Sequence, residues 1–479
     1  MMKTSYWYHV AGWMTCSMLP VTLQPLSAQQ TQRTNVLLIT IDDMNIWPGA
    51  FDGVAQTPNM DILAAQGTMF SNAHCVVPAS NPSRTALFTG LRPETTGQYT
   101  NEGCFRNKQN NKTLITLPQY LQCFGYETVS VGKIYHHARG MKEIPDPYSD
   151  PESWDLQPPC SVGIKGRNLY IGENGYGTWH GGEITGYLGR MGVWGPVPYK
   201  TEESEEWKNV RYCAEYLNEE HDKPFFLACG IFTPHAPHIA PQKYFDMYPL
   251  DRINLPEVSD DDFKDIPKVA ETNFSTPFVK LMREKGEWKK AVQGYLACMS
   301  FADDVLGELL EALEKSRYAD NTIVILLTDN GFQLGHKNRW EKYSLWRMAT
   351  NTPLIISKPG DKKGQVCERA VSYLDIYPTL LDMLKIEKPD FLEGYSFAEL
   401  LVEPTAPRQY PAVITHGEGN ISVVKDEWNY IRYKDGSEEL YNREKDRGEY
   451  HNLAQDEKYA ALKQQLLRYI PEVKKESRR

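Results

Sequence analysis

The sequence predicts an α/β fold: a mostly parallel central sheet flanked by helices, followed by a smaller C-terminal subdomain built on an antiparallel sheet. Three observations carry this. Residues 34–40, 127–131, 224–232 and 322–328 are runs of strand length that read as strands buried on both faces. Segments of helical character separate them, which is the βαβ pattern of a parallel sheet. Past residue 405 the chain changes to short strands joined by polar turns.

Taken in order, residues 1–28 read as a secretory signal. Lys3 supplies a short positive region, an apolar stretch over 7–26 is broken by Pro20 and Pro25, and Leu26-Ser27-Ala28 offers small residues before a cut at Gln29. Residues 29–405 are expected to form the main α/β domain and 406–479 the C-terminal subdomain with its closing helix. The strand 34–40 ends in Asp42-Asp43. A helix over 59–66 and a strand over 68–74 lead to Ser80-Asn81-Pro82-Ser83-Arg84-Thr85-Ala86-Leu87-Phe88-Thr89-Gly90. Pro82 suits a first helical turn and Gly90 a helix stop. Ser80 is thus placed at or just before a helix N-terminus, where free N–H groups favour an anion. By itself this stretch reads more readily as a capping serine with a surface arginine.

A helix over 117–123, capped by Thr116, precedes the strand 127–131, which runs into Gly132-Lys133-Ile134-Tyr135-His136-His137. Residues 138–200, rich in Gly, Pro, Trp and Tyr, are expected to be long loops over one sheet edge. A helix over 203–219 leads to the strand 224–232 and then to Thr233-Pro234-His235-Ala236-Pro237-His238, where two prolines hold His235 in a non-helical loop. The long helix 288–316 has Leu306, Leu309, Leu310 and Leu313 on one face. The strand 322–328 ends in Asp329-Asn330-Gly331, followed by the basic residues His336, Lys337, Arg339 and Lys342. A strand over 352–357 and a helix over 374–384 complete the domain. Short strands at 412–415, 421–424, 428–433 and 439–441 precede a helix over 459–470, stopped by Pro471.

The 479 residues suffice for two unequal domains, and a net charge of −10 argues against a nucleic-acid binder. An anionic substrate still fits if positive charge is gathered locally. The 28 Tyr and 11 Trp include candidates for stacking on sugar rings, though most serve the core and ordinary surface. No segment after the signal is long and apolar enough to span a bilayer, so an exported mature chain without a membrane span is expected. Eight cysteines remain after Cys16 leaves with the signal. None shows CxxC or zinc spacing, and Cys123, Cys229 and Cys298, lying in apolar runs, are expected to be small buried hydrophobes. Export permits a disulfide or two, with no pairing readable.

In a parallel α/β sheet the carboxyl ends of the strands converge. Here they carry Asp42/Asp43, Lys133/His136, His235 and Asp329/Asn330, with Ser80 and Arg84 joining from the loop and helix. Three carboxylates and an amide oxygen make a site for a hard cation, Ca2+ or Mg2+. Arg84, Lys133, His136, His235 and Lys342 surround it with positive charge. A divalent ion and basic side chains around a nucleophile suit transfer of a small oxyanion such as sulfate or phosphate.

The segment Ser80-x-Pro-Ser-Arg-x-x-Leu-x-Thr-Gly resembles the signature of the type I sulfatases, in which a Cys or Ser at the first position becomes formylglycine. Asp42-Asp43, Gly132-Lys133, Pro234-His235 and Asp329-Asn330-Gly331 resemble that family's other motifs in the same chain order, and the likeness runs from Asn35 to about Leu453. Gly132-Lys133-Ile134-Tyr135-His136 and Trp340-Glu341-Lys342-Tyr343-Ser344 look most like the iduronate-2-sulfatase-like branch. Asn330 departs from it, since many of that branch carry His there, and Ser80 departs from the commoner Cys.

The resemblance implies an alkaline-phosphatase-like fold and an exported sulfatase, periplasmic or at the cell surface of a Gram-negative bacterium. It implies that Asp42, Asp43, Asp329, Asn330 and modified Ser80 bind Ca2+. The hydrated aldehyde attacks sulfur in line; His235 and Lys342 hold the sulfate, and one of them protonates the leaving oxygen. His136 takes the proton of the second hydroxyl, and Arg84 and Lys133 orient the diol. A serine at this position implies an anaerobic radical maturase as partner. A sulfated oligosaccharide is the implied substrate, with 2-O-sulfated uronic acid in a glycosaminoglycan first and algal or mucin sulfated glycans as alternatives. His416, Asn420 and Arg339 are candidates for substrate contact; turn chemistry accounts equally well for the 416–420 loop. Two rival readings are a phosphate or phosphonate ester hydrolase of the same superfamily, and a glycan-binding pseudoenzyme with Ser80 unmodified.

Overall fold

The computed structural model describes residues 33–108, 111–137, 143–144, 148–161, 193–258, 261–274, 278–361 and 363–471. The expected signal segment 1–28 and most of the loop region 138–200 lie outside the described residues.

The central sheet has seven strands. In chain order they are β1 (Asn35–Ile41), β2 (Thr68–Phe70), β3 (Glu127–Gly132), β4 (Phe225–Ile231), β5 (Thr322–Thr328), β6 (Leu354–Ser357) and β7 (Gln365–Cys367). Their order across the sheet is β7-β2-β6-β5-β1-β4-β3. β1 lies between β5 and β4, parallel to both, and β3 is parallel to β4. β6 runs antiparallel to β5 and to β2, and β7 is parallel to β2.

The apolar runs explain why this sheet is central. Side chains alternate across a strand, so a strand covered on both faces must be apolar at every position. Leu37, Ile39 and Ile41 of β1 enter one core with Val129, Leu227 and Leu326, under the helices Trp288–Lys315, Glu205–Asn218 and Pro58–Gln66. Val36 and Leu38 enter the opposite core with Phe226 and Ile325, under the helices Ser80–Thr89, Leu117–Cys123 and Ile376–Leu384.

Several expectations are revised in detail. The strand expected over 68–74 is two pieces: β2, and Ala73–His74, which pairs instead with Val371–Ser372. β6 runs antiparallel, a direction that an all-apolar strand does not encode. β7 has only three residues and was not anticipated. Cys229 and Cys298 are buried, but Cys123 ends its helix on the surface, because only the Leu117 and Leu121 face of that short helix meets the core. The eight described cysteines are free thiols.

The C-terminal strands β8 (Ala412–Thr415), β9 (Ile421–Lys425), β10 (Trp428–Arg432) and β11 (Glu438–Asn442) form an antiparallel meander. One face, with Val413, Val423, Tyr430 and Leu440, packs under Leu466 of the helix Ala460–Leu467. The other, with Ile414, Val424, Ile431 and Tyr441, packs on Leu345 and Trp346. The Trp346 indole donates to Glu439 Oε2 at 2.8 Å, and its ring has Lys337 Nζ at 5.0 Å and the Arg339 guanidinium at 5.1 Å. The Tyr433 and Tyr441 hydroxyls also donate to Glu439. Burial pushes the Glu439 carboxyl up, and these donors oppose it.

This clamp predicts that Glu439→Ala, which leaves one indole N–H and two phenols without their acceptor, lowers unfolding free energy by about 3 kcal/mol. Glu439→Gln, which keeps one acceptor oxygen for the indole N–H and the Tyr441 hydroxyl and presents an NH2 that a reoriented Tyr433 hydroxyl can accept from, loses less of it. Urea unfolding followed by tryptophan fluorescence checks both.

Candidate active site

The helix Ser80–Thr89 is polar in composition yet buried at all ten positions. Burying polar groups is unfavourable unless each finds a partner. Asn81 Nδ2 donates to Gly103 O at 2.8 Å, Ser83 Oγ to Asp329 O at 2.6 Å, and Thr89 Oγ1 to Thr85 O at 2.7 Å. The backbone of Ala79, not Ser80, caps the helix, so Ser80 is its first residue and its hydroxyl is directed elsewhere. Gly90 ends it in the left-handed conformation at φ 67°.

Arg84 points inward, contrary to a surface placement. Its Nε donates to Asp329 Oδ2 at 3.0 Å and Nη2 to Asp42 Oδ1 at 3.1 Å. Nη1 donates to the carbonyls of Lys133 at 2.9 Å and Ile134 at 2.6 Å. One guanidinium therefore ties together the carboxyl ends of β1, β5 and β3. Ser80 Oγ lies 3.4 Å from Asp42 Oδ1, 3.5 Å from Asn330 Oδ1 and 3.3 Å from Lys342 Nζ. Asn330 Nδ2 donates to Asp43 Oδ1 at 2.8 Å, which leaves its carbonyl oxygen facing Ser80. Lys133 pairs with Asp42 and Lys342 with Asp43. His235 turns Nε2 toward Asp43 Oδ2 at 3.6 Å, while its Nδ1–H donates to Ala236 O at 2.8 Å.

The glycines at the sheet end have a steric reason. A Cβ on Gly132 (φ 75°) would sit 2.1 Å from Gly230 O, and one on Gly230 would sit 2.3 Å from the Lys133 carbonyl carbon. Only glycine at both positions lets β3 and β4 approach closely where Lys133 leaves the sheet.

The electrostatics follow from burial among mixed charges. Burial would raise Asp42, but Lys133, Arg84 and Lys342 outweigh it and hold the carboxyl far below its usual range. Asp43 goes the other way: burial, helped by Asp42 and Asp329 and opposed by Lys342, lifts it to about 6. Burial, then Lys133, His137 and Lys342, push His136 down, so its imidazole is neutral. One carboxylate oxygen from each of Asp42, Asp43 and Asp329 lies within 4.8 Å of the other two, and Asp43 Oδ2 is buried without a hydrogen bond. A wholly oxygen donor set with one orphaned carboxylate oxygen fits a hard divalent cation.

Of the residues singled out from sequence, Asp42, Asp43, Ser80, Arg84, Lys133, His235, Asp329, Asn330 and Lys342 are brought into one buried cluster. His136 stands at its edge, stacked on His137 with ring centroids 5.4 Å apart. His416 is further out, 6.2 Å from the Tyr343 ring. Asn420 uses its side chain locally: Nδ2 donates to His416 O at 3.0 Å and Oδ1 accepts from Lys434 N at 3.1 Å, which is turn chemistry. Arg339 is buried behind the site, donating to Ala270 O at 2.7 Å.

Sequence reasoning missed two supports. Tyr295 hydroxyl donates to Asp43 O at 2.7 Å and accepts from Asn45 N at 2.9 Å, fixing Asp43 at its left-handed φ of 58°. In sequence it is one more aromatic in an apolar helix stripe. Glu206 accepts from Thr233 Oγ1 at 2.8 Å beside the His235 loop, and burial lifts its carboxyl to about 7. A glutamate in a helix's first turn gives no signal of this.

Residues 34–386 match the profile described as Sulfatase, and residues 335–476 that of the N-sulphoglucosamine sulphohydrolase C-terminal region. The chain is 36% identical to a sulfatase of Formosa agariphila over 92% of this chain and 87% of the relative. It is 30% identical to human iduronate 2-sulfatase over 74% of this chain and 65% of the relative. Among solved structures, the phosphonate monoester hydrolase of Agrobacterium radiobacter superposes with a TM-score of 0.68 at 20% identity, covering 91% of this chain and 94% of that one. The shared fold is alkaline-phosphatase-like.

The acidic cluster predicts metal-dependent stability. A divalent cation bound there, tested with Ca2+ at about one hundred times its dissociation constant, is expected to stabilise the chain by about 2.7 kcal/mol, and Asp329→Asn to remove most of that gain. The ion needs Asp43 ionised, and burial lifts that carboxyl to about 6. The gain is therefore complete above about pH 7 and is lost as pH falls through about 6. Calorimetric melting with Ca2+ or EDTA between pH 5 and 8 measures it.

Proposed function

The chain belongs to the sulfatase family of sulfuric ester hydrolases, and from that premise we propose that it is an exported enzyme removing sulfate from a sulfated glycan, with a 2-O-sulfated uronic acid of a glycosaminoglycan as first candidate. The observation that carries the catalytic part is the Ser80 hydroxyl, set at the start of a buried helix between Asp42, Asn330 and Lys342. The substrate class is supported by the 30% identity to human iduronate 2-sulfatase. Export is supported by the character of residues 1–28; among the described residues no helix is long and apolar enough to cross a membrane.

In this reading Asp42, Asp43, Asp329, Asn330 and the oxygen at position 80 hold Ca2+, or Mg2+ in its place. When bound, the ion polarises oxygen atoms at the site and offsets charge on the sulfate. Ser80 is the precursor of formylglycine, made by an anaerobic radical maturase; its hydrate supplies two hydroxyls where serine has one. The chain's own side chains do the rest. Lys342 lies 3.3 Å from Ser80 Oγ and is held protonated by Asp43, so it offers fixed positive charge to a sulfate oxygen. His235, with its Nδ1–H committed to Ala236 O, presents Nε2 to the same space and moves a proton at the leaving oxygen. His136, kept neutral by burial and by the surrounding cations, has a free lone pair with which to take the proton of the second hydroxyl. Arg84 and Lys133 hold Asp42 ionised and in place.

Mass spectrometry of the Ser80 peptide from protein made with an anaerobic maturase is expected to show the aldehyde, and the enzyme to release sulfate from defined sulfated disaccharides. Ser80→Ala abolishes turnover, while His235→Ala and Lys342→Ala each lower kcat/KM by about 10²–10⁴. An intact serine in the native protein would sink the catalytic reading. Faster turnover of aryl phosphate than of aryl sulfate would move the enzyme to the phosphoester hydrolases.

A further inference from the structure

Ten non-glycine residues among the described ones adopt positive φ, and four of them fall between 337 and 343: Lys337, Asn338, Glu341 and Tyr343. Left-handed backbone is unfavourable for a bulky side chain, and such strain persists where the surrounding structure imposes it, most often at ligand sites. Tyr343, at φ 66°, directly follows Lys342 and is 36% exposed. Its position is fixed from three sides. Its N–H donates to Pro78 O at 3.1 Å, in the loop that leads to Ser80. Its hydroxyl accepts from Asn101 Nδ2 at 3.1 Å, and Asn101 Oδ1 in turn accepts from the N–H of Asn81 at 2.9 Å, in the Ser80 helix. Its ring lies 6.2 Å from that of His416. The Lys342 ammonium, 3.3 Å from Ser80 Oγ, is 6.0 Å from the Tyr343 ring centroid. An exposed aromatic ring is thus braced one side chain away from the position where sulfate would react.

We propose that Tyr343 is the sugar platform of this site, a specificity-determining residue whose ring stacks on the pyranose that carries the scissile sulfate. This deepens the sulfated-glycan reading and rests on it. A pyranose presents a face of C–H groups that an aromatic ring covers well, and the ring's fixed position adds little ordering entropy on binding. The left-handed turn at Tyr343 lets consecutive residues serve two purposes: Lys342 reaches inward to the sulfate position while Tyr343 forms the wall above it. Glycine would adopt this backbone without strain but would supply no wall.

Binding by the unmatured Ser80 form separates this inference from catalysis, which is judged by turnover of the matured enzyme. The probes are a disaccharide carrying 2-O-sulfated uronate and inorganic sulfate, titrated calorimetrically into wild type, Tyr343→Ala and Tyr343→Phe in the presence of Ca2+. Tyr343→Ala is expected to weaken the disaccharide at least tenfold and leave inorganic sulfate within twofold, while Tyr343→Phe, which keeps the ring, binds the disaccharide within threefold of wild type. A disaccharide dissociation constant unchanged in Tyr343→Ala overturns the platform. So does a parallel loss of inorganic sulfate, or a loss in Tyr343→Phe as large as in Tyr343→Ala.

Discussion

The Arg84 guanidinium is the interaction on which the rest of the site depends. It is buried, and it bonds at once to Asp42, Asp329 and the two carbonyls that follow β3. A buried guanidinium is tolerable only with its donors met, and buried carboxylates only with a cation beside them. Each requirement answers the other here. The planar fork of arginine can reach two carboxylates and two carbonyls from one helix position, which a lysine's single ammonium cannot do with the same geometry. The three strand ends, separated by up to 287 residues in sequence, are thereby held in one place.

The second constraint is charge balance. Asp42, Asp43 and Asp329 face Arg84, Lys133 and Lys342, and none of the six is free to move into water. Lys342 comes from a segment that makes no central strand. Four residues further on, Trp346 is held by Glu439 of the C-terminal sheet and by Lys337 and Arg339 of the Lys342 segment itself. The small sheet therefore anchors, through Glu439, the segment that carries Lys342, whose ammonium reaches both Asp43 and Ser80. His235 is placed from the other side of the sheet end, where Glu206 holds Thr233.

Much of the fold was legible because the central strands must be apolar on both faces. β5 was readable at both ends, and β1, β3 and β4 to within a residue or two. What escaped were short or two-sided features: β7, the split of 68–74, and the direction of β6. These depend on what a strand pairs with, which periodicity does not record. The site was legible for a related reason, since strand carboxyl ends converge in such a sheet. The exposed position of Cys123 and the local role of Asn420 were not legible, because an apolar neighbourhood in sequence does not say which side of a short helix faces out, nor an amide whether it closes its own turn.

By itself the sequence determined the long elements, their mostly parallel arrangement, and a set of oxygen ligands and cations at the strand ends, because each follows from local pattern and from the topology of parallel sheets. Only the tertiary structure decided what each group does there. Ser80 begins its helix without capping it, and Arg84 is a buried brace, not a surface charge. Asp42 and Asp43, adjacent in sequence, are driven in opposite directions, the first held ionised by Lys133, Arg84 and Lys342, the second lifted by burial to about 6. That difference arises from which cation each carboxylate meets across hundreds of residues, and from how little water reaches them.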